Sequence, residues 1–173
     1  GLVKEAADEM AAEHLAVPTV FEMETAISFL YFKEECCDLV VLETGMGGRE
    51  DATNVVKTTV LEVLASISMD HMGVLGNTLG EIAWNKAGII KPGTAVVSMK
   101  QLPEAMQVIE EECKKQNASL FLADAAEASD VNYGWEEQSF SYGGYKDLKI
   151  SLAGGYQIPN AVLAVKALTV LQT

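Results

Sequence analysis

Positive charge is scarce in this chain. Twelve basic residues face twenty-five acidic ones, giving a formal net charge of −13. No basic stripe exists to neutralise phosphates, which excludes a nucleic-acid surface. Nucleotides stay open, because a local loop or a bound cation can hold them against the global charge. Arginine is the scarcest: Arg49 is the only one, and the other eleven basic residues are lysines. Cysteine is sparse too. Cys36, Cys37 and Cys113 form no C-x-x-C pair and leave an odd thiol. They read as small buried hydrophobes of a protein in the reducing cytoplasm, not as a disulfide framework. No apolar run approaches the roughly eighteen residues of a membrane span. Residues 2–15 read as an acid-rich helix, not as a leader peptide. Nor does the chain contain a G-x-x-x-x-G-K-S/T phosphate loop.

What is present is a long hydrophobic share, 49% of 173 residues, enough for the core of one domain. The most informative stretch is Leu42-Glu43-Thr44-Gly45-Met46-Gly47-Gly48-Arg49-Glu50-Asp51-Ala52-Thr53-Asn54. It holds three glycines, three acids and the lone guanidinium, the one rigid bidentate cation available. It follows Leu39-Val40-Val41-Leu42, which reads as a buried strand. A glycine-rich loop at the carboxyl end of such a strand is where open α/β sheets place ligands.

Periodicity fills in the rest. Residues 2–15 and 22–33 predict helices, the second introduced by Pro18-Thr19 with Phe21, Ala26, Phe29, Leu30 and Phe32 as its core side. Strands follow at 59–66, 94–98 and 119–123. Thr78 and Glu81 form a capping box for a helix over 79–87, closed by Gly88. Residues 102–116 form an amphipathic helix, and 156–171 another, with Pro159 in its first turn. Aromatics, polar residues and Gly143-Gly144 mark a small antiparallel region over 130–152. The order predicts an α/β fold: a mainly parallel sheet flanked by helices, with that small antiparallel hairpin region, all in one domain over 1–173.

The chemistry-bearing residues lie at predicted strand ends. Glu43 ends one strand and Asp70-His71 another, while Lys86 sits late in the short helix and Asp51 and Asn54 follow the glycines. Carboxylates and an imidazole at one sheet edge can hold a divalent cation that bridges phosphate oxygens. Each has a plainer reading. Glu43 can simply end a strand in solvent, His71 can be a hydrogen-bonded histidine, Lys86 a surface lysine favoured by the helix dipole, and Arg49 a clamp onto Glu50 or Asp51.

Five ordered blocks carry a resemblance: Pro18 to Ala26, Asp38 to Asn54, Ser66 to Leu79, Ile82 to Gly93, and Gly155 to Ala161. The chain resembles the folylpolyglutamate synthase/dihydrofolate synthase family of the Mur ligase superfamily, in its central portion. The resemblance implies an incomplete Mur-ligase-type ATPase domain of an ATP-dependent amide ligase. Such enzymes phosphorylate a carboxylate and let an amine attack the acyl phosphate. The implied substrates are dihydropteroate or a folate, L-glutamate and ATP, with Mg²⁺. By position, Glu43 and His71 match magnesium ligands, and Lys86, with His71, a catalytic role. Lys86 matches a lysine carbamylated in many members. Gln157 and Asn160 match the nucleotide-approaching segment, and Phe21, Asp51 and Ala52 the pterin pocket. Two positions depart: Asn85 stands where the family usually has Glu, and Tyr156 where it commonly has His.

The missing phosphate loop leads to the expectation that it lies before residue 1, that a C-terminal domain is absent, and that the chain alone is inactive. A bared sheet edge would then favour self-association. Other readings are a non-catalytic binding or assembly module with this fold, and a Mur-type ligase acting on a peptidoglycan precursor.

Overall fold

Thr19 and Thr78 each start a helix by the same device. Glu22 N–H donates to Thr19 Oγ1 at 3.2 Å while Thr19 N–H donates to Glu22 Oε2 at 2.6 Å. Glu81 N–H donates to Thr78 Oγ1 at 3.1 Å, and Thr78 N–H and Asn77 N–H return to Glu81 Oε2. Both are capping boxes, which satisfy donors that a helix start otherwise leaves open. The computed structural model describes residues 1–69 and 75–172. It divides the chain into two compact units, Gly1–Val56 and Lys57–Thr173.

The first unit holds α1 (Leu2–Ala12), α2 (Val20–Glu34) and a 3₁₀ turn over Ala52–Val55. The core expected along α2 does not form there. Thr25 is its only buried residue, and Phe21 and Leu30 are exposed. Among the described residues of the unit α2 meets α1, the 3₁₀ turn and, through Phe21, Gly45, too little to enclose a fifteen-residue helix. The strand expected at 39–42 is also not made. Those residues carry no strand pairing and Val41 is 92% exposed. A strand exists through its ladder partner, and the described residues offer this segment none.

The second unit has the predicted α/β architecture. β1 (Leu61–Leu64), β2 (Ala95–Met99) and β3 (Ser119–Ala123) form a parallel sheet in the order β1-β2-β3. Neighbouring β2 residues point to opposite faces. Val96 joins Leu79, Ile82 and Ala83 of α3 (Leu79–Ala87) and Ala105 and Ile109 of α4 (Pro103–Gln116). Val97 and Met99 join the core on the other face, with Ile158, Val162 and Leu163 of α5 (Gln157–Leu171). α4 starts on Pro103 and stops at Asn117, whose φ of 52° is the left-handed cap asparagine tolerates. β4 (Ser129–Asn132), β5 (Gln138–Tyr142) and β6 (Tyr145–Ile150) form the antiparallel sheet, and β5 adds Phe140 and Tyr142 to the α5 side of the core. No helix among the described residues is long and apolar enough to cross a membrane.

Burial also separates the cysteines. Cys113 is buried, as expected, but Cys36 and Cys37 are exposed. They sit just past the end of α2, where Cys36 takes a φ of 51°.

Candidate functional site

The glycine-rich loop is organised by one carboxylate. Asp51 is buried and accepts from Met46 N–H at 2.8 Å, Thr53 N–H at 3.0 Å and the Thr53 hydroxyl at 2.6 Å. Burial is the largest single influence on its acidity and opposes ionisation. The Thr53 hydroxyl and the Met46, Thr53 and Gly45 N–H groups together outweigh it and hold the carboxyl below the usual range. Asp51 is therefore an anion at neutral pH that caps the 3₁₀ turn and pins the loop's first residues. Asn54 Nδ2 closes the far side by donating to Arg49 O at 3.0 Å. Gly47, at φ 69°, makes the turn.

Phe21 meets the same loop. Its ring lies over Gly45 so closely that a Cβ there would stand 2.4 Å from Phe21 Cζ. The ring is nonetheless 42% exposed. Of the three residues expected to share a pocket, Phe21 and Asp51 both meet Gly45, an aromatic face beside an ordered anion, and Ala52 follows Asp51 at the start of the 3₁₀ turn. Glu43 stands two residues before that glycine with an exposed side chain.

In the second unit the segment after β1 is tied to the end of β2 by a residue that the sequence did not flag. Gln101 Nε2 donates to Ala65 O at 2.8 Å, and Ile67 N–H donates to Gln101 Oε1 at 2.9 Å. Asp70 and His71, which follow in sequence, lie outside the described residues. A side-chain amide that links two strand ends leaves no periodic signal. Lys86 is half-buried in the last turn of α3. Its neighbour Asn85 donates from Nδ2 to Leu75 O at 2.6 Å. The amide anchors the incoming loop, a donor role that a carboxylate could not fill. Gln157 and Asn160 share the first turn of α5, with Gln157 half-buried and Asn160 exposed. No side chain caps that helix start, but Gln157 N–H and Asn160 N–H are taken by Gly154 O and Tyr156 O and Pro159 has no N–H, so the helix dipole, not a set of free donors, is what favours an anion there.

Glu43 offers a hard carboxylate oxygen of the kind magnesium takes. Among the described residues no three His, Cys, Asp or Glu side chains converge as a metal site. Glu43 belongs to the first unit; Lys86, Gln157 and Asn160 belong to the second.

The Mur ligase middle domain family matches residues 7–168. The chain belongs to this family. It is 43% identical over 161 residues to the dihydrofolate synthase/folylpolyglutamate synthase of Bacillus subtilis, covering 87% of this chain and 36% of that protein. The apo form of L. casei FPGS superposes on 98% of this Mur ligase chain and 42% of its own, with a TM-score of 0.87 and 29% identity. An FPGS–AMPPCP–folate complex gives 0.85 at 29% identity, over 98% of this chain and 42% of that one. The chain spans well under half the length of these relatives. The folylpolyglutamate synthase/dihydrofolate synthase resemblance and the α/β fold class both stand.

Proposed function

We propose that this Mur ligase domain serves an ATP-dependent amide ligase that adds L-glutamate to dihydropteroate or a folate. The single observation that carries the reading is the Phe21–Gly45–Asp51 arrangement: an aromatic face with one side open, set against a loop held by a buried anion. A flat pterin can stack on such a face. The AMPPCP–folate complex of a structural relative supports the same assignment.

In this reading Phe21 and Ala52 line the pterin pocket, and Asp51 holds the loop that forms its wall. Gln157 and Asn160 approach the nucleotide from the α5 start, whose dipole favours phosphate charge. Glu43 and His71 would hold Mg²⁺, which would supply positive charge to offset the charge developing in phosphoryl transfer. Lys86 would carry a carbamate, which turns its cation into an anion with oxygen donors, and the Asn85 anchor holds its helix end to the Leu75 loop. The substrate carboxylate attacks the γ-phosphorus and ADP leaves. The glutamate amine then displaces phosphate from the acyl carbon. Unpaired thiols and the absence of a membrane helix among the described residues suit a cytoplasmic enzyme.

The 173-residue chain has no G-x-x-x-x-G-K-S/T segment, and we expect no ligation from it alone. The test uses the product of the full open reading frame containing this sequence, with labelled glutamate and ATP. Dihydropteroate and tetrahydrofolate are offered separately. Label should enter at least one acid, and Glu43→Ala should lower kcat by about 10²-fold or more, as loss of a charge-stabilising contact does. Absence of transfer to both acids would overturn the proposal.

A further inference from the structure

We infer that Gln138 is a positioning residue for the first turn of α5, an inference resting on the reading of Gln157 and Asn160 as nucleotide contacts. Gln138 opens β5 and is 1% exposed. Phe140, two residues on, shares its face of the strand and enters the core with Ile158 and Val162 of α5. The same face of β5 thus meets α5 through Phe140 and catches the segment entering α5 through Gln138.

The catch is a pair of hydrogen bonds from one amide. Gln138 Nε2 donates to Leu152 O and, at 3.2 Å, to Gly154 O. Gly154 O also accepts from Gln157 N–H at 3.1 Å. One carbonyl therefore joins the hairpin sheet to the residue that starts the helix. Asn160 N–H donates to Tyr156 O at 3.2 Å one step later. Little else restrains this segment. Leu152 and Tyr156 are exposed, Gly154 sits at φ 116°, and Tyr156 provides no side-chain cap.

The orientation of the amide is dictated by its partners. Turning it over would set Oε1 against two carbonyl oxygens. As it lies, Oε1 is buried and finds no hydrogen-bond partner among the described residues. The side chain accepts that unfavourable burial in order to hold both carbonyls. An apolar residue of similar size would fill the space without it, but would leave the α5 entry unheld.

Two measurements on wild type and Gln138→Met test this. In the chain itself, amide hydrogen exchange at residues 152–160 should speed up about tenfold, a local opening that leaves Val96, Val97 and Ile109 unchanged. In the full open reading frame product, KM for ATP should rise about tenfold, with kcat and KM for glutamate within about twofold, the pattern of lost ground-state nucleotide positioning. Lys149→Ala, which removes the exposed Lys149–Glu137 pair of the same sheet, should move neither. Should Gln138→Met also loosen Val96, the comparison passes to Gln138→Asn, which keeps the amide one methylene short. Unchanged exchange at 152–160 overturns the inference, as does faster exchange with an unaltered ATP KM. A wild-type product that uses no ATP overturns the ligase reading instead, and the exchange measurement then still decides whether Gln138 orders the turn.

Discussion

Gly45 lies beneath an aromatic ring, and that contact governs what a single methyl group would do. A Cβ at 2.4 Å from Phe21 Cζ cannot coexist with the ring where it stands. The clashing atom is the far end of a half-exposed side chain, so the ring swings away before the backbone yields. Gly45→Ala should therefore change stability by less than about 1 kcal/mol, while weakening folate binding by the full open reading frame product about tenfold through loss of the aromatic face. Titration calorimetry with folate checks it; unaltered affinity would separate the ring from the pterin. At this scale the sequence was partly legible. The motif blocks pointed to Phe21, Asp51 and Ala52 together. Phe21 was also placed in a helix core, because helical spacing counts an aromatic as buried whatever lies opposite it. Gln101 and Gln138 stayed invisible, since a side-chain amide that ties distant backbone groups has no local spacing to betray it.

At the scale of elements, β1 carries an acid into the core. Glu62 is buried and accepts from Lys91 N–H at 3.1 Å and from the Thr94 hydroxyl at 2.6 Å. That hydroxyl is also 2.9 Å from Lys91 O, yet it has one hydrogen to give. A protonated Glu62 resolves the conflict by donating to Thr94 Oγ1, which frees the hydroxyl for Lys91 O. Burial, the largest influence, raises the Glu62 pKa above its ordinary value of 4.5, against the Thr94 and Lys91 hydrogen bonds. A group raised on folding contributes stability that is fully present below the unfolded value and lost as pH rises through the folded one. Glu62→Gln mimics the protonated acid. It should match wild type below pH 4.5 and exceed it at pH 7 by up to about 1 kcal/mol, one net hydrogen bond. Urea unfolding across that range measures the difference; a variant less stable at pH 7 would refute it. Most helices and strands could be read from periodicity, and the capping box at Thr78 from its residue types; the left-handed stop at Asn117 was not among the expectations. The 39–42 strand could not, because an apolar run reports a wish to be buried and not the partner that satisfies it.

At the scale of the whole molecule, unpaired edges and exposed apolar residues stand out. The order β1-β2-β3 leaves β1 with an open edge among the described residues, and Val63 on it is exposed, as are Leu39 and Val41. Open edges next to apolar surface recruit further strands. Multi-angle light scattering of the 173-residue chain should give a mass that rises with concentration; a strict monomer throughout would contradict this. The α/β class and the small antiparallel region were both readable, since strand and helix periods alternate over most of the chain. The chemistry was legible only as motif blocks, because its residues come from separate elements. The central claim is that this domain serves a ligase that works through an acyl phosphate. It is tested most directly by supplying the full open reading frame product with ATP, glutamate and dihydropteroate or a folate labelled with ¹⁸O in its reacting carboxylate. The account predicts one ¹⁸O in the inorganic phosphate for each amide formed. Amide formation with unlabelled phosphate would contradict it.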